Sequence, residues 1–442
     1  MSASDDKALG SWYGMAVGDA LGQSVKGLKP ETVKQYFKTV DAYHDVKPYI
    51  GKGVKRYRMK GLYGVQTQTA LALSEVLLTT KKPEPEAVAD VLMRMGANGP
   101  EGYFGVFRRP EGCFYKTVES FPNRTAVARS NEPYAFGSTF SVAVPIAAYM
   151  KRNSVTFRSQ CVEAARLFSR HPWEIVGTVL TGFLVTRCLD LQPASSPGAL
   201  QHLFGDAAEF CEEIEALLQA EHGDVWHAVE KDPQVFSKTF RELETRYEPG
   251  QRDALGKWIA ENASHFTGLD IVHPTQGHAL SLLPFGLLML VEMTGGFEAV
   301  LTTTLNHGRE ADKLGALVGA WAGALYGFDA IPDAWRSGLV NAKEIKARGE
   351  ALARRKNMKS DKDLIAMELG LTNKEAEERR KFLPKETKKA GKKSTPLDDL
   401  WMEEESRDTI SQLKEDPYKW RQFERDKAKK KRDRRRKPGF SD

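Results

Sequence analysis

The sequence predicts an all-α protein, and three observations support this fold class. Apolar residues recur at helical spacing in most segments between positions 8 and 356. No run of β-branched residues alternates with polar ones before a hairpin turn, so strand signals are few. Two series of glycines occur at four-residue spacing, which is typical of helices that approach each other closely.

The first predicted helix covers 8–28, where Ala8, Trp12, Met15 and Ala20 share one face. It also carries one glycine series, at Gly14, Gly18 and Gly22. The second series, at Gly315, Gly319, Gly323 and Gly327, lies in the apolar run 314–328. Since a glycine costs a helix about 1 kcal/mol relative to alanine, we expect each series to mark a face where another backbone packs. The two helices are therefore predicted to pack against each other.

The remaining segments continue the helical pattern. A polar loop is predicted at 29–61, and an irregular segment rich in Gly, Pro, Asn and Arg at 97–135. Further helices are predicted at 62–80, 136–151, 155–170, 172–189, 203–221, 234–247, 251–263, 279–293 and 341–356, with one more beginning at Pro83 and Pro85.

Charge divides the chain into two parts. Residues 341–442 carry a net charge of +10, whereas residues 1–340 carry −4. We therefore expect one helical domain at 8–356 and a basic tail at 357–442, largely disordered apart from one or two amphipathic helices after 362. The basic run Lys427–Lys437 has two interpretations, a contact with nucleic acid or an acidic partner and a solvated tail.

The compartment is predicted from what the sequence lacks. The four cysteines, Cys113, Cys161, Cys188 and Cys211, form no CxxC pair, so we expect reduced thiols. The N-terminus has no signal-peptide pattern. The apolar runs 279–293 and 314–328 are shorter than the roughly 20 residues that span a bilayer. A cytoplasmic protein without membrane contact is expected.

A candidate site precedes the second glycine series. The turn before it carries Glu310 and Asp312, two residues apart, beside Arg309 and Lys313. Carboxylates are favoured at a helix N-terminus. An acidic turn that leads into a buried helix is thus a predicted place for chemistry.

Three motifs in chain order resemble the ADP-ribosylglycohydrolase family. Gly14-x-x-x-Gly18-Asp19-Ala20-Leu21-Gly22 resembles the family's GxxxGDALG. Gln68-Thr69-Ala70-Leu71-Ala72-Leu73 resembles the end of TDDTQMALAL. Gly308 to Gly327, followed by Ile331-Pro332-x-x-Trp335, resembles GGDTDTIGAIAGALAGAYYG followed by IPxxW. The resemblance extends over about 350 residues and implies an orthogonal bundle of helices around a central cleft.

In active members the cleft binds two Mg²⁺ ions and the ADP-ribose of a modified protein or nucleotide. Cleavage of a ribosyl bond requires an activated water, which hard cations held by oxygen ligands can orient. The resemblance implies that the ligands come from the Thr-Asp-Asp of the second motif and the Asp-x-Asp-Thr of the third, with a glutamate after GDALG.

This chain departs from that ligand pattern. The Thr-Asp-Asp positions hold Gly64, Val65 and Gln66, and only the following Thr67 is kept. The glutamate position holds Lys26, and Lys313 replaces the threonine of the third motif. We therefore expect no magnesium pair; Asp312, Glu310 and Thr67 are the candidate ligands if any metal binds.

Three interpretations of the altered site are open. In the first, the site has decayed and Asp312 only caps the helix from Leu314. In the second, Lys26 and Lys313 replace the charge of the metal, and an ADP-ribose-like ligand or an ADP-ribosylated macromolecule still binds. In the third, Glu310 or Asp312 acts as a base without metal. The candidate catalytic residues are Glu310 and Asp312. The candidate ligand-binding residues are Asp19, Lys26, Gln66, Thr67 and Lys313.

Two further groups of residues have a structural and a functional interpretation. Arginines and aromatics are interleaved in the irregular segment, where they can hold a phosphate and stack a base or form an ordinary surface loop; the arginines are Arg108, Arg109, Arg124 and Arg129. His273, His278 and His307 lie near the third motif without ligand-like spacing, and we expect structural roles for them.

Overall fold

The fold is all-α, as the sequence predicts. The structure is a computed structural model that describes residues 2–45, 57–123, 135–193, 196–223, 234–358 and 363–381. Within these ranges it has seventeen α-helices, two short 3-10 turns and no β-strand.

The helices fall into an N-terminal and a C-terminal half. The first half comprises α1 (Ala3–Gly22), α2 (Pro30–Phe37), α3 (Val65–Thr80), α4 (Pro85–Ala97), α5 (Gly112–Ser120), α6 (Ala143–Met150), α7 (Val155–Arg166), α8 (Pro172–Asp190) and α9 (His202–Glu221). The second half comprises α10 (Val235–Arg246), α11 (Arg252–Thr267), α12 (Ala279–Glu292), α13 (Gly296–Leu305), α14 (Ala311–Tyr326), α15 (Asp333–Gly338), α16 (Ala342–Ala353) and α17 (Leu364–Arg380).

The two glycine-bearing helices form the centre of the bundle. Helices α1 and α14 run antiparallel, with Gly14 facing Gly319 and Gly18 facing Gly315. A methyl group added at Gly18 would collide with the carbonyl oxygen of Gly315, so the backbones touch directly. The predicted pairing of these helices is confirmed. It brings the C-terminal end of α1 beside the N-terminal turn of α14.

Buried tryptophans attach the surrounding helices to this pair. The Trp12 indole of α1 donates to the Ile345 carbonyl of α16 at 2.8 Å. The Trp321 indole of α14 donates to the Thr181 carbonyl of α8 at 3.0 Å. Each buried N–H thus has an acceptor, as a polar group in an apolar core requires.

Four short helices lie where the sequence predicted none, namely α2, α5, α13 and α15. Only Val33 and Phe37 of α2 are buried, so its apolar face is too small to recognise from periodicity. Helices of two or three turns owe their stability mostly to tertiary packing, which local sequence does not encode. The loop predicted at 29–61 and the irregular segment 97–135 are therefore each interrupted by a helix.

Helix α17 lies beyond the predicted domain boundary at 356. It packs against the domain through the buried side chains Leu364, Glu368, Thr372, Glu375 and Arg379. A helix after 362 was expected, but its buried face is largely polar and its partners lie far away in sequence. The boundary at 356 itself stays a prediction. Residues 382–442, with the basic run Lys427–Lys437, lie outside the described residues.

None of the helices in the described ranges has the length and hydropathy that a bilayer crossing requires. The four cysteines are all buried and form no disulfide.

Candidate functional site

A cluster of charged side chains lies where the end of α1, the start of α3 and the first turn of α14 meet. We call it the α14 cluster; its members are Asp19, Lys26, Glu111, Glu310, Asp312 and Lys313. Five of the six come from sequence-predicted positions. The tight contact of Gly22 with Ala311 holds the two helix ends together at this point.

Asp19 anchors the start of α3. Its Oδ2 accepts hydrogen bonds from the Gly64 and Thr67 amides, both at 3.0 Å, and from the Thr67 hydroxyl at 2.7 Å. Its Oδ1 accepts from the Gln23 amide at 2.7 Å. Burial, and then the nearby charge of Asp312, raise the pKa of Asp19 to about 6, against the effect of these hydrogen bonds. Asp19 thus serves as the N-terminal acceptor of α3.

Lys26 and Asp312 form an ion pair. The Lys26 Nζ lies 2.8 Å from the Asp312 Oδ2, and the Asp312 side chain is only 1% exposed. Burial lowers the pKa of Lys26, but Asp312, Glu310 and Glu111 outweigh burial and raise it above its usual value. Burial likewise acts to raise the pKa of Asp312, and Lys26 holds it below its usual value. Both groups are therefore charged.

Lys313 joins two carboxylates. Its Nζ contacts Glu111, lies 3.4 Å from the Glu310 Oε2 and donates to the Phe136 carbonyl at 3.0 Å. The Lys313 side chain is 2% exposed, whereas Glu111 and Glu310 are 16% and 26% exposed. Burial acts to raise the pKa of Glu111, but Lys313 and Lys26 hold it below its usual value. Lys313 and Asp312 thus lie at the buried floor of the cluster, and Lys26, Glu111 and Glu310 lie at its partly exposed rim.

Glu111 is the member that sequence reasoning missed. It precedes α5 in the segment predicted to be irregular, about 200 positions from its partner Lys313. Its second oxygen accepts from the Ser138 hydroxyl. Nothing in the local sequence distinguishes Glu111 from an ordinary loop glutamate, so only the fold could identify it.

A buried carboxylate fixes the loop that supplies Ser138 and Phe136. Glu174 at the start of α8 accepts from the Gly137 and Thr139 amides, both at 2.8 Å, and from the Thr139 hydroxyl at 2.8 Å. Burial raises the pKa of Glu174. The loop therefore has a fixed position relative to Lys313.

The structure places the other predicted residues as follows. Thr67 binds Asp19, whereas Gln66 is buried in the same turn without a hydrogen bond from its amide to the described residues of the cluster. Asp312 is not a helix cap, because α14 begins at Ala311 with Glu310 at the capping position. That expectation was wrong: its carboxylate pairs with Lys26 instead. Its other oxygen, Oδ1, is buried without a hydrogen-bond partner.

The two described arginines of the irregular segment are used internally. Arg108 pairs with Glu368 at 2.7 Å, and Arg109 lies 3.7 Å from Glu375; both carboxylates belong to α17. The interpretation of Arg108 and Arg109 as phosphate ligands is therefore wrong, since both side chains are buried against the carboxylates of α17. Arg124 and Arg129 lie outside the described residues.

The three histidines occupy structural positions, with His278 buried and His273 and His307 half-buried. His278 caps α12 by accepting the Leu280 amide at 3.1 Å. His273 and His307 pack together with ring centroids 5.6 Å apart. Burial lowers the pKa of His278 to about 3, and the pKa of His273 and of His307 to about 4. All three are neutral at pH 7.

We expect His278 to make the fold sensitive to acid. Its pKa is about 3 when folded and about 6.5 when unfolded, so the unfolded chain binds more protons between these values and stability falls as the pH falls. Between pH 7 and pH 5 the loss is about 2 kcal/mol for this residue. Urea unfolding at both pH values measures this loss in the wild type and in His278→Asn, whose amide oxygen can still cap α12. Equal losses of unfolding free energy in the two proteins would contradict the role of His278.

The residues of the α14 cluster do not fit a magnesium pair. Two ammonium groups lie against Asp312, Glu310 and Glu111, and cations there would repel added Mg²⁺. Val65 and Gln66, in the same turn as Thr67, add no carboxylate to the cluster. Within the described ranges, no three His, Cys, Asp or Glu side chains are grouped so that they could hold a metal ion.

The fold and the site together define an all-α protein with a cluster of charged side chains at the N-terminus of its central helix. Residues 1–362 match the sequence pattern of the ADP-ribosylglycohydrolase family, so the chain belongs to this family.

Two comparisons accompany the family match. The chain is 44% identical over 62 residues to the ADP-ribosyl-[dinitrogen reductase] glycohydrolase of Rhodospirillum rubrum, a match that covers 14% of this chain and 21% of the relative. A solved structure described as an ADP-ribosylglycohydrolase-related protein complex is similar with a TM-score of 0.53 and 23% identity, covering 81% of this chain and 100% of the other. At that identity the likeness concerns the fold.

Proposed function

We propose that this protein binds an ADP-ribose-like ligand in the α14 cluster without magnesium and does not hydrolyse it. The observation that carries the proposal is the seating of two lysine ammonium groups among the carboxylates, with Lys26 2.8 Å from Asp312 and Lys313 between Glu111 and Glu310. A buried carboxylate needs a counter-charge, and the protein supplies that charge from its own side chains.

The rim of the cluster has the chemistry of an ADP-ribose site. Glu310 and Glu111 are partly exposed and can accept hydrogen bonds from ribose hydroxyls. Lys26 is 17% exposed and can pair with a phosphate. The family processes ADP-ribosyl groups, which supports a free ADP-ribose or an ADP-ribosylated macromolecule as the ligand.

The arrangement disfavours hydrolysis. A general base must be deprotonated and within reach of a water. Asp312 is 1% exposed and held in its ion pair, and a lysine whose pKa is raised carries its proton at pH 7. We therefore propose that the protein is a pseudoenzyme. We also propose that it works in a reducing compartment such as the cytoplasm, because its four cysteines are free thiols.

Calorimetry with ADP-ribose tests the binding, first in EDTA and then with excess MgCl₂. We expect the same Kd in both buffers, because no bound cation takes part. Lys26→Met should weaken binding about tenfold or more through loss of a charge-assisted contact, while Lys34→Met, at an exposed position of α2, should leave it unchanged. Binding that needs Mg²⁺, or no binding at all, would contradict the proposal.

A turnover assay with an ADP-ribosylated substrate distinguishes a protein that only binds ADP-ribose from one that hydrolyses the ADP-ribosyl bond. We expect no release of ADP-ribose from an ADP-ribosylated substrate by the wild type. Turnover that survives EDTA and disappears in Glu310→Gln and Asp312→Asn would instead support a metal-free hydrolase with one of these carboxylates as the base.

A further inference from the structure

Helix α17 lies outside the part of the chain that the family pattern covers. The match ends at residue 362, and α17 begins at Leu364. Its contact with the domain is mostly polar: among its buried residues, Leu364 and Ala376 are apolar and Glu368, Thr372, Glu375 and Arg379 are not. Because few apolar side chains hold α17 against the domain, its position depends on hydrogen bonds and ion pairs with particular residues. Those residues show which parts of the domain α17 can affect.

One carboxylate receives three of these partners. The Glu368 Oε1 accepts from the Tyr63 hydroxyl at 2.6 Å. Its Oε2 accepts from the Gln68 amide at 2.8 Å and from the Arg108 guanidinium at 2.7 Å. The Glu368 side chain is fully buried and Arg108 is 3% exposed. Glu368 therefore joins two segments of the domain, one that contains Tyr63 and Gln68 and one that contains Arg108, 40 positions after Gln68.

Both segments lead directly to the α14 cluster. Tyr63 precedes Gly64, whose amide donates to Asp19 at 3.0 Å. Arg108 lies three positions before Glu111, which contacts Lys313. In both segments only a few residues separate the partner of Glu368 from the cluster. A movement of the Glu368 side chain would therefore displace residues that contact the cluster.

Further hydrogen bonds make the connection rigid. The Arg108 amide donates to the Gln68 side chain at 2.8 Å, and the Arg108 Nε donates to the Tyr63 carbonyl at 2.9 Å. Thr372 of α17 accepts from Arg108 at 2.9 Å and donates to the Val106 carbonyl at 2.7 Å. Both segments are thus held to each other as well as to α17, because a network in which every member is satisfied fixes geometry.

We propose that Glu368 is a positioning residue for the α14 cluster, and that α17 is a clamp which sets the position of Glu111 and of the start of α3. The ligand part of this inference rests on the proposed function. The geometric part does not, since it concerns the order of residues 62–68 and 105–112 in the free protein.

Hydrogen exchange of the full-length protein tests the geometric part. Glu368→Gln keeps the shape but leaves Arg108 without its counter-charge, and we expect amide exchange in 62–68 and 105–112 to rise about tenfold, the scale on which residues of a packed network alter coupling. Glu377→Gln, at an exposed position of the same helix, is the matched control and should show wild-type exchange.

Tyr63→Phe provides a second, milder variant in case Glu368→Gln does not fold. It removes a single hydrogen bond to Glu368 and should raise exchange in the same two segments by a smaller factor. Unchanged local exchange in the folded variants, with or without a lower melting temperature, would overturn the proposal, because α17 would then be a purely stabilising element.

Affinity for ADP-ribose tests the link to the site. We expect Glu368→Gln to weaken binding about tenfold at a temperature where circular dichroism shows a folded protein. If the wild type does not bind ADP-ribose, the proposed function fails, and the exchange data still decide whether Glu368 positions the cluster. Wild-type affinity in Glu368→Gln together with faster local exchange would overturn the link.

Discussion

Lys313→Met is expected to lower the free energy of unfolding by about 3–5 kcal/mol, the usual cost of removing one partner from a buried ion pair. Lys313 is 2% exposed and contacts both Glu111 and Glu310. Methionine fills a similar volume and favours the helix, so the loss measures the missing charge rather than a cavity. Urea unfolding followed by circular dichroism measures the difference in the free energy of unfolding between Lys313→Met and the wild type.

Two controls separate charge from packing. Lys343→Met removes an exposed lysine and should change stability by less than about 0.5 kcal/mol. The double variant Lys313→Met/Glu111→Gln should recover part of the loss, because it also removes one of the unpaired carboxylates. A loss below about 1 kcal/mol in Lys313→Met would contradict the role of Lys313 as a buried counter-charge.

Magnesium provides a further readout of the same variant. If the ammonium occupies the place of a cation, its removal leaves carboxylates that Mg²⁺ can neutralise. Added MgCl₂ should then raise the melting temperature of Lys313→Met and leave that of the wild type unchanged. Equal responses of the two proteins would contradict this expectation.

Gly18→Ala is expected to destabilise the protein by about 3 kcal/mol, at the upper end of the usual cost of overpacking a core. A methyl group there meets the backbone of Gly315 in α14, and a backbone cannot rotate away as a side chain can. The two central helices must separate, which also displaces Asp19 from the start of α3.

The matched control, a second glycine-to-alanine substitution, is expected to change stability in the opposite direction. Gly370 lies on an exposed face of α17, and a methyl group there has no neighbour within 4 Å. Gly370→Ala should therefore stabilise the protein by about 0.5–1 kcal/mol through helix propensity alone. Thermal unfolding of both variants measures the contrast, and a Gly18→Ala protein as stable as the wild type would refute close backbone packing.

Much of the fold could be predicted because its signals are periodic. The glycines at 14, 18, 315 and 319 indicated the α1–α14 contact correctly. Short helices such as α5 were missed because a helix of nine residues has too few turns for its buried face to be distinguished from chance.

The site was predicted in part. Lys26, Asp312 and Lys313 were indicated by their positions in recognisable motifs, and the pairing expected between these lysines and the carboxylates is present. Neither interpretation offered for Arg108 and Arg109, a phosphate site or a surface loop, included their buried ion pairs, because the partners Glu368 and Glu375 lie more than 250 positions away.

By itself the sequence determined the all-α class, the glycine-lined helix pair and the family, since each rests on short motifs whose own residues are close together in the chain. Only the tertiary structure decided that Glu111 belongs to the α14 cluster, that Asp312 pairs with Lys26 instead of capping a helix, and that α17 is joined to the domain through Glu368. The physical reason is that a buried charge is stabilised by whichever opposite charge the fold brings within a few ångströms, and the local sequence does not encode that neighbour.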